Sequence, residues 1–495
     1  MFLRVTGVYG YTQRSGRFRK TILQQQMAEG GGEVQHAMFK LGDGRTSRSS
    51  CPMFEHEDIS VETSIILNKL GYGQELIQKR RDSYRKNAEF FTERFSDCTI
   101  FAVGSKADGI SRCYESDTDL LYVRSQVECV ELGYDINTIP EDSFVFRMNT
   151  RVCHPGHCLL LLERGIPWMF FPAFCDDGHG HIILSSTLFL DIFKNTSNWF
   201  PWKVNHARAG PSLPFTLGPA KVDAVNALRC HCPSILHRWA ARSRHWPSPD
   251  IVQKVVSMGA FVSPVGFKAS ENKDFEWRIC FNTGETELVT NLNNTQIKIY
   301  VILKMIAKDV LQPRNKEITS YSMKNIVLWL AENNPQKLFH QRSLFYWLRE
   351  SLSKIRAAIS TRQLPYYMIP ERNLMKASEL TDDQQKIWLA SISEMIHEGP
   401  RILLRLPTIR MAIIAYPMPL LWYNERRTEL EIVMLEETSR HLWCKDQNGV
   451  DIRVNKTLQY ALRMRRTWLL LEIVLMSGVP LNISDLISTL YRIYM

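Results

Sequence analysis

Polar and apolar positions change their rhythm along the 495-residue chain. Residues 1–57 are polar, with AEGGGE at 28–33 and RTSRSSCP at 45–52, and read as a largely disordered leader. From Ile59 to Phe95 apolar residues return at helical spacing, which predicts one long amphipathic helix or two joined at Gly71 and Gly73. Short apolar runs at 98–103, 119–124, 158–163, 182–190, 220–228, 260–266 and 275–281 then predict strands, with Pro, Gly and Asn in the loops between. From Gln296 the period becomes helical. QIKIYVILKMIAKDVL, SMKNIVLWLAEN (stopped at Pro335) and LFHQRSLFYWLRESLSKIRAAI predict three helices. Thr381 to Gln384 reads as a capping box opening a fourth, which Gly399 and Pro400 end. The pattern is that of a mixed α/β lobe, about 59–290, followed by an α-helical lobe.

Two further apolar runs, 411–423 (MAIIAYPMPLLWY) and 468–476 (WLLLEIVLM), are interrupted by prolines and by Glu472. Both fall short of the ~20 apolar residues that span a bilayer, so they predict core helices and no membrane partner. The N-terminus lacks the apolar stretch and cleavage site of a secretory signal. Eleven cysteines without a CxxC pair suit a reducing compartment, so a cytoplasmic protein is expected, with the nucleus also open. The group Cys153, His154, His157, Cys158, Cys175, His179 and His181 lacks zinc-ligand spacing and reads as buried thiols and surface histidines. A hydrophobic share of 45% with 23% charged residues is that of a folded protein rather than a disordered or fibrous one. The net charge of +10 hints at a polyanionic partner.

Candidate chemistry concentrates in TIFAVGSKADGISRCYESDTDLLYV, residues 99–123. A strand ends at Gly104-Ser105, a polar loop follows, and a second strand begins with Asp117 and Asp119. Residues i and i+2 of a strand share a face, so the two carboxylates point together. Side by side they repel unless a cation neutralises them, and hard divalent ions take oxygen ligands and bridge to phosphates. Gly104 lets backbone approach a phosphate, and Ser105 can donate to it. Asp223, in the strand-like KVDAVNAL, supplies a third acid. Three acids beside a phosphate-gripping turn are the parts of two-metal nucleotidyl transfer.

The 99–123 block resembles the signature of polymerase-beta-type nucleotidyltransferases. GPAKVDAVNALRC (218–230), HWPSPD (245–250), VSPVGFKASENKDFEWRICF (262–281) and SYSMKN (320–325) resemble the Mab-21 family, which includes cyclic GMP–AMP synthase and the synthase-like receptors. The resemblance runs from Ile59 to Asn334. It implies a bilobal α/β fold, with a leader 1–57, a nucleotidyltransferase domain 58–290, a helical HhH/H2TH-like C-lobe 291–399 and a helical extension 400–495 of unassigned role. It further implies that Gly104 and Ser105 hold a donor triphosphate and that Asp117, Asp119 and Asp223 hold two Mg²⁺ or Mn²⁺ ions. Arg278 would read a base edge, Lys304 a phosphate, and Tyr321, preceded by Ser320, would stack on a base. The segment after WRICF holds neither Cys nor His, so no zinc thumb is expected, which is the pattern of the synthase-like receptors. Cys280 and Asn282 stand where the synthase has serines, which leaves the bases of the product open.

The implied activity is cyclic dinucleotide synthesis from ATP and GTP, activated by double-stranded RNA or DNA, with a product read by a STING-type receptor and dimerisation on ligand. Lys79, Arg80, Arg81, Arg85 and Lys86 are the candidate nucleic-acid contacts, joined by Arg238, Arg242 and Arg244. Two alternatives stay open at this point: a catalytically silent scaffold, and a transferase that joins nucleotides without closing a ring.

Overall fold

The computed structural model describes residues 53–477, apart from 54, 96, 114, 179, 195–202, 218–219, 312–317, 377–379, 417–419 and 442–452. The leader, apart from its last few residues, lies outside the described residues. The predicted long helix is two, α1 (Glu57–Leu67) and α2 (Gln74–Arg94), joined by a π-type turn at Asn68–Tyr72. Gly71 makes the break with φ of 89°, a left-handed value that a side chain would strain.

Eleven strands form one sheet: β1 (Cys98–Val103), β2 (Thr118–Glu131), β3 (Phe144–Asn149), β4 (His157–Arg164), β5 (Phe174–Asp176), β6 (Ile182–Leu184), β7 (Lys203–Asn205), β8 (Ser212–Leu217), β9 (Ala220–His231), β10 (Ala260–Ser263) and β11 (Trp277–Cys280). The path runs β1-β2-β3-β4-β11-β10-β9-β8-β7, and β2 also pairs with β9, so its middle closes on itself. The β2–β9 and β2–β3 pairs are parallel. The strand predicted over 182–190 stops at Leu184. The rest of that run belongs to a helix over Ser186–Lys194, because Phe189, Leu190 and Phe193 all turn inward at helical spacing. Phe189 packs edge-on against Phe170 and Trp277.

Helices α3 (Gly104–Ala107), α4 (Ser186–Lys194), α5 (Pro233–Ala240), α6 (Pro249–Met258) and α7 (Asn282–Thr290) decorate the sheet. The predicted helical half contains α8 (Asn294–Ile306), α9 (Ser320–Asn333), α10 (Leu344–Thr361), α11 (Asp382–Glu398), α12 (Pro407–Ala415), α13 (Leu420–His441) and α14 (Arg453–Ser477). Asn293 and Gln296 close a capping box on α8, and Thr381 accepts from the Gln384 amide at the start of α11. One core cluster runs from Leu160 and Trp277 in the sheet to Ile302, Leu348 and Trp388 in the helices, so sheet and helices share their hydrophobic interior. No helix among the described residues is long and apolar enough to cross a membrane.

Candidate active site

Strand register places the acids. Antiparallel pairing of β1 with β2 sets Val103, the residue before the Gly-Ser turn, opposite Asp119. Parallel pairing of β2 with β9 sets Asp119 opposite Asp223. Residues opposite each other in a ladder share a face, so Asp119 and Asp223 lie side by side, with exposed Asp117 just ahead of the strand and near enough to raise the pKa of both. Gly104 has φ of 71°, and a Cβ there would land on the Asp119 carboxylate, 2.9 Å from its Cγ. The glycine is therefore required twice, by backbone and by space.

Asp119 and Asp223 each respond to the carboxylates beside them. Burial, then repulsion from Asp223, pushes the Asp119 carboxyl up to about 7, with Lys324 opposing and Asp117 adding to the rise. Burial, then Asp117, raises Asp223 as well. No group of three or more Asp, Glu, His or Cys side chains among the described residues is already drawn together as a metal-ligand cluster. The donor set nevertheless fits a hard divalent cation: all oxygen, and carrying a mutual repulsion that such a charge would relieve.

Behind the acids, the Ser105 hydroxyl sits between two others, accepting from Ser111 Oγ at 3.0 Å and bonding Ser116 Oγ at 3.0 Å. Lys304 donates its ammonium to Ser111 Oγ. Burial works against ionised Glu115, but Lys304 and Arg112 outweigh it and hold that carboxyl down at about 2. The turn thus offers the Ser105 and Ser116 hydroxyls, with buried Ser111 and the part-buried Lys304 ammonium behind them, an arrangement suited to a polyphosphate.

A buried cation, Lys324, acts on Asp119 from the helical side. Lys324 Nζ lies 3.0 Å from Asp108 Oδ2 and 3.7 Å from Glu285 Oε2. Burial alone would lower its pKa, but Asp108, Tyr300 and Glu285 hold the ammonium well above its ordinary value. Glu285 Oε1 accepts from Tyr321 Oη at 2.8 Å and from Tyr366 Oη at 2.6 Å, and the two rings stand 6.0 Å apart at 37°. The Arg372 guanidinium covers the Tyr366 ring at 4.9 Å. Arg278 stands opposite His157 in the β4–β11 pair, and His157 is buried. Burial, then Arg372 and Arg278, drives the His157 imidazole down to about 3.

The structure therefore brings Gly104, Ser105, Asp117, Asp119 and Asp223 together around the start of β2, with Lys304 joined through Ser111. Tyr321 connects through Glu285 and Lys324, and Ser320 opens α9 beside it. Ser111, Ser116, Lys324, Glu285, Tyr366 and Arg372 were not singled out from the sequence. The serines were readable as hydroxyls in the loop between the glycine turn and the acids. Tyr366 and Arg372 come from a loop far along the chain and carry no local signal.

The basic run on α2 needs correction. Arg80 is fully buried and grips Glu431 through Nε and Nη2 at 2.8 Å each, so it has no face for a polyanion. Arg81 turns inward, donating to the Asp108 and Val289 carbonyls. Helical periodicity separates Arg80 from Lys79, Arg85 and Lys86, which remain exposed, whereas Arg81 shares a side with Arg85 and is half-buried by folding back. Arg242 and Arg244 are likewise engaged, the first with Glu332 at 2.8 Å and the second over the Trp239 ring at 4.6 Å.

Comparison with protein families gives two overlapping matches. The family model described as the Mab-21 protein nucleotidyltransferase domain matches residues 196–291, and that of the Mab-21 protein HhH/H2TH-like domain matches residues 272–394. Between them the matched stretches contain Asp223, Arg278, Lys304, Ser320 and Tyr321. The Gly-Ser turn, Asp117 and Asp119 lie upstream of both.

Proposed function

The chain belongs to the Mab-21 family, and we propose that it is a metal-dependent nucleotidyltransferase joining ATP and GTP into a cyclic dinucleotide. Its main support is the opposition of Asp119 and Asp223 across parallel strands, with Asp117 alongside and Gly104 pressed against the carboxylate. Asp117, Asp119 and Asp223 would hold two Mg²⁺ or Mn²⁺ ions. Bound there, such ions lower the pKa of an attacking ribose hydroxyl and neutralise a departing pyrophosphate.

The protein's own groups do the positioning that phosphoryl transfer mainly requires. Ser105, braced by Ser111 and Ser116, fixes the donor triphosphate for in-line attack, and Lys304 adds charge behind it. Tyr321 offers a ring face to a base. Glu285 and Lys324 hold that ring in register with the acids. Arg278 presents donors to a base edge or phosphate. In this reading a linear dinucleotide forms first, turns over, and is closed by a second transfer. Exposed Lys79, Arg85 and Lys86 receive double-stranded RNA as activator, and a STING-type receptor reads the product.

The test is direct. Purified full-length protein is incubated with four labelled NTPs, Mg²⁺ or Mn²⁺, and double-stranded RNA or DNA, and products are resolved by chromatography after phosphatase treatment. A phosphatase-resistant product absent from Asp223→Asn supports the proposal. A phosphatase-sensitive product points to the transferase that leaves its chain open, and silence under every ligand points to the scaffold.

A further inference from the structure

The helices beyond residue 394 lie outside both family matches, yet α13 reaches back to the loop that carries Ser111. Glu431 is 3% exposed. Its carboxylate takes two hydrogen bonds from Arg80, and its Oε1 also accepts the Cys113 amide at 3.2 Å. Arg80 in turn donates through Nη1 to the Gly109 carbonyl at 3.2 Å. One buried ion pair therefore holds both ends of the 109–113 segment, the amide at one end and the carbonyl at the other. The loop continues through Glu115, bonded by Arg112 and by Tyr72 Oη, into Ser116 and Asp117.

The docking of α13 is polar in character. Its apolar side packs with α14 in a small core of their own, Leu430, Val433, Leu462, Leu469 and Ile473, separate from the main core. Towards α2 and its preceding turn the contacts include the Arg80–Glu431 pair, Ser83 Oγ to the Leu435 carbonyl at 3.1 Å, and Arg427 to the Leu70 carbonyl at 2.7 Å. Gly71 leaves room for both arginines, since a Cβ there would sit 3.3 Å from Arg80 Nη2 and 3.8 Å from Arg427 Nη2. A carboxylate needed only to neutralise Arg80 would have no reason to accept a loop amide as well.

We infer that Glu431 is a positioning residue: through Arg80 and the Cys113 amide, the C-terminal hairpin sets the loop whose serines brace Ser105 against the triphosphate. This rests on the nucleotidyltransferase reading for its consequence, though not for the clamp itself. Replacing a buried ion pair by apolar residues of similar volume often leaves stability intact. The double variant Arg80→Met/Glu431→Leu thus leaves no buried charge unpaired while it takes the partners from the Gly109 carbonyl and the Cys113 amide. The reversed pair Arg80→Glu/Glu431→Arg restores attraction but faces each loop group with the wrong polarity.

Two readouts on the full chain decide the matter: hydrogen exchange of peptides covering 109–116, and equilibrium binding of a fluorescent non-hydrolysable ATP analogue with Mn²⁺. In both variants, with the thermal midpoint close to wild type, loop exchange should accelerate and nucleotide affinity should fall on the order of tenfold, the loss of a charge-assisted hydrogen bond or two. Unchanged loop protection in a folded variant overturns the clamp. Lost protection with unchanged affinity overturns the positioning role. If wild type binds no nucleotide, the functional reading fails, and loop exchange alone then judges the clamp. Should both variants unfold, the conservative Glu431→Gln, which keeps one acceptor oxygen, decides by the same two readouts.

Discussion

Replacing Asp119 with asparagine should stabilise the metal-free protein while removing its response to metal. In the folded chain burial and Asp223 push this carboxyl from 3.8 to about 7. Below pH 4 folded and unfolded forms are both protonated and nothing is at stake. Between about pH 4 and pH 7 the unfolded chain ionises while the folded one retains its proton, so the group increasingly disfavours folding; above pH 7 the penalty is complete. At about 1.4 kcal/mol per pKa unit, the roughly three-unit rise sets a ceiling of about 4 kcal/mol. Asparagine keeps the shape and is neutral at every pH. Site relaxation towards the open side at Asp117 takes part of the ceiling, so a gain of about 2 kcal/mol is expected at pH 8, shrinking to near zero at pH 4. The assay is urea denaturation of both proteins in chelator at pH 4, 6 and 8, repeated with Mn²⁺ at pH 8. Wild type should gain stability with Mn²⁺ and the variant should not. A variant less stable than wild type at pH 8 in chelator would refute the repulsion argument. A retained Mn²⁺ response would refute the assignment of Asp119 as a ligand.

Gly104→Ala places a methyl against the Asp119 carboxylate at a left-handed backbone position. It should cost about 1–2 kcal/mol of stability and reduce nucleotidyl transfer about a hundredfold or more, read by melting and product formation. Lys324→Met leaves Asp108 and Glu285 without their shared ammonium. It should destabilise by about 3–5 kcal/mol, and because Lys324 holds the Asp119 pKa down, the acid limb of the pH–rate profile should move to higher pH. Alanine at Lys79, Arg85 and Lys86 together should flatten the salt dependence of double-stranded RNA binding, by a slope of about 2–3 for three lost phosphate contacts. Arg80→Ala should instead lower the unfolding midpoint, since it strands Glu431 in a buried setting.

Most elements were legible because the described core obeys simple periods. The apolar spacing of Ile59–Phe95 and of the segment after Gln296 foretold α1, α2, α8, α9 and α10, and the glycine break at Gly71 was visible as a glycine in a helical pattern. Strands β3 and β8, six residues each, were missed, and strand prediction also failed where the run was short or two periods met. Residues 182–190 read as one strand although Ser185, Ser186 and Thr187 split the apolar run. Ser185, which accepts from the Leu188 amide at 3.3 Å, starts the helix there, a capping signal that the strand reading passed over. Strands β5 and β7, three residues each, are too short to show a period at all.

The site divides along a similar line. Gly104, Ser105, Asp117 and Asp119 sit within sixteen residues of one another, and each is a type that announces its chemistry, a permissive backbone, a hydroxyl or a charge. Asp223 was a candidate by composition, but its place opposite Asp119 is a property of parallel pairing across a hundred residues, which no local pattern encodes. Arg80 shows the converse. In the sequence it is one of six cations on a helix, and periodicity alone puts it on the same face as Ile77 and Tyr84 rather than with Lys79 and Lys86. What turns an inward cation from a liability into a fixture is Glu431, 351 residues away. A buried guanidinium without that carboxylate would cost several kcal/mol. The basic helix could therefore only be sorted into binding and structural charges once the C-terminal hairpin was in place, and the same hairpin that hides Arg80 from a polyanion is the one that reaches the loop beside the acids.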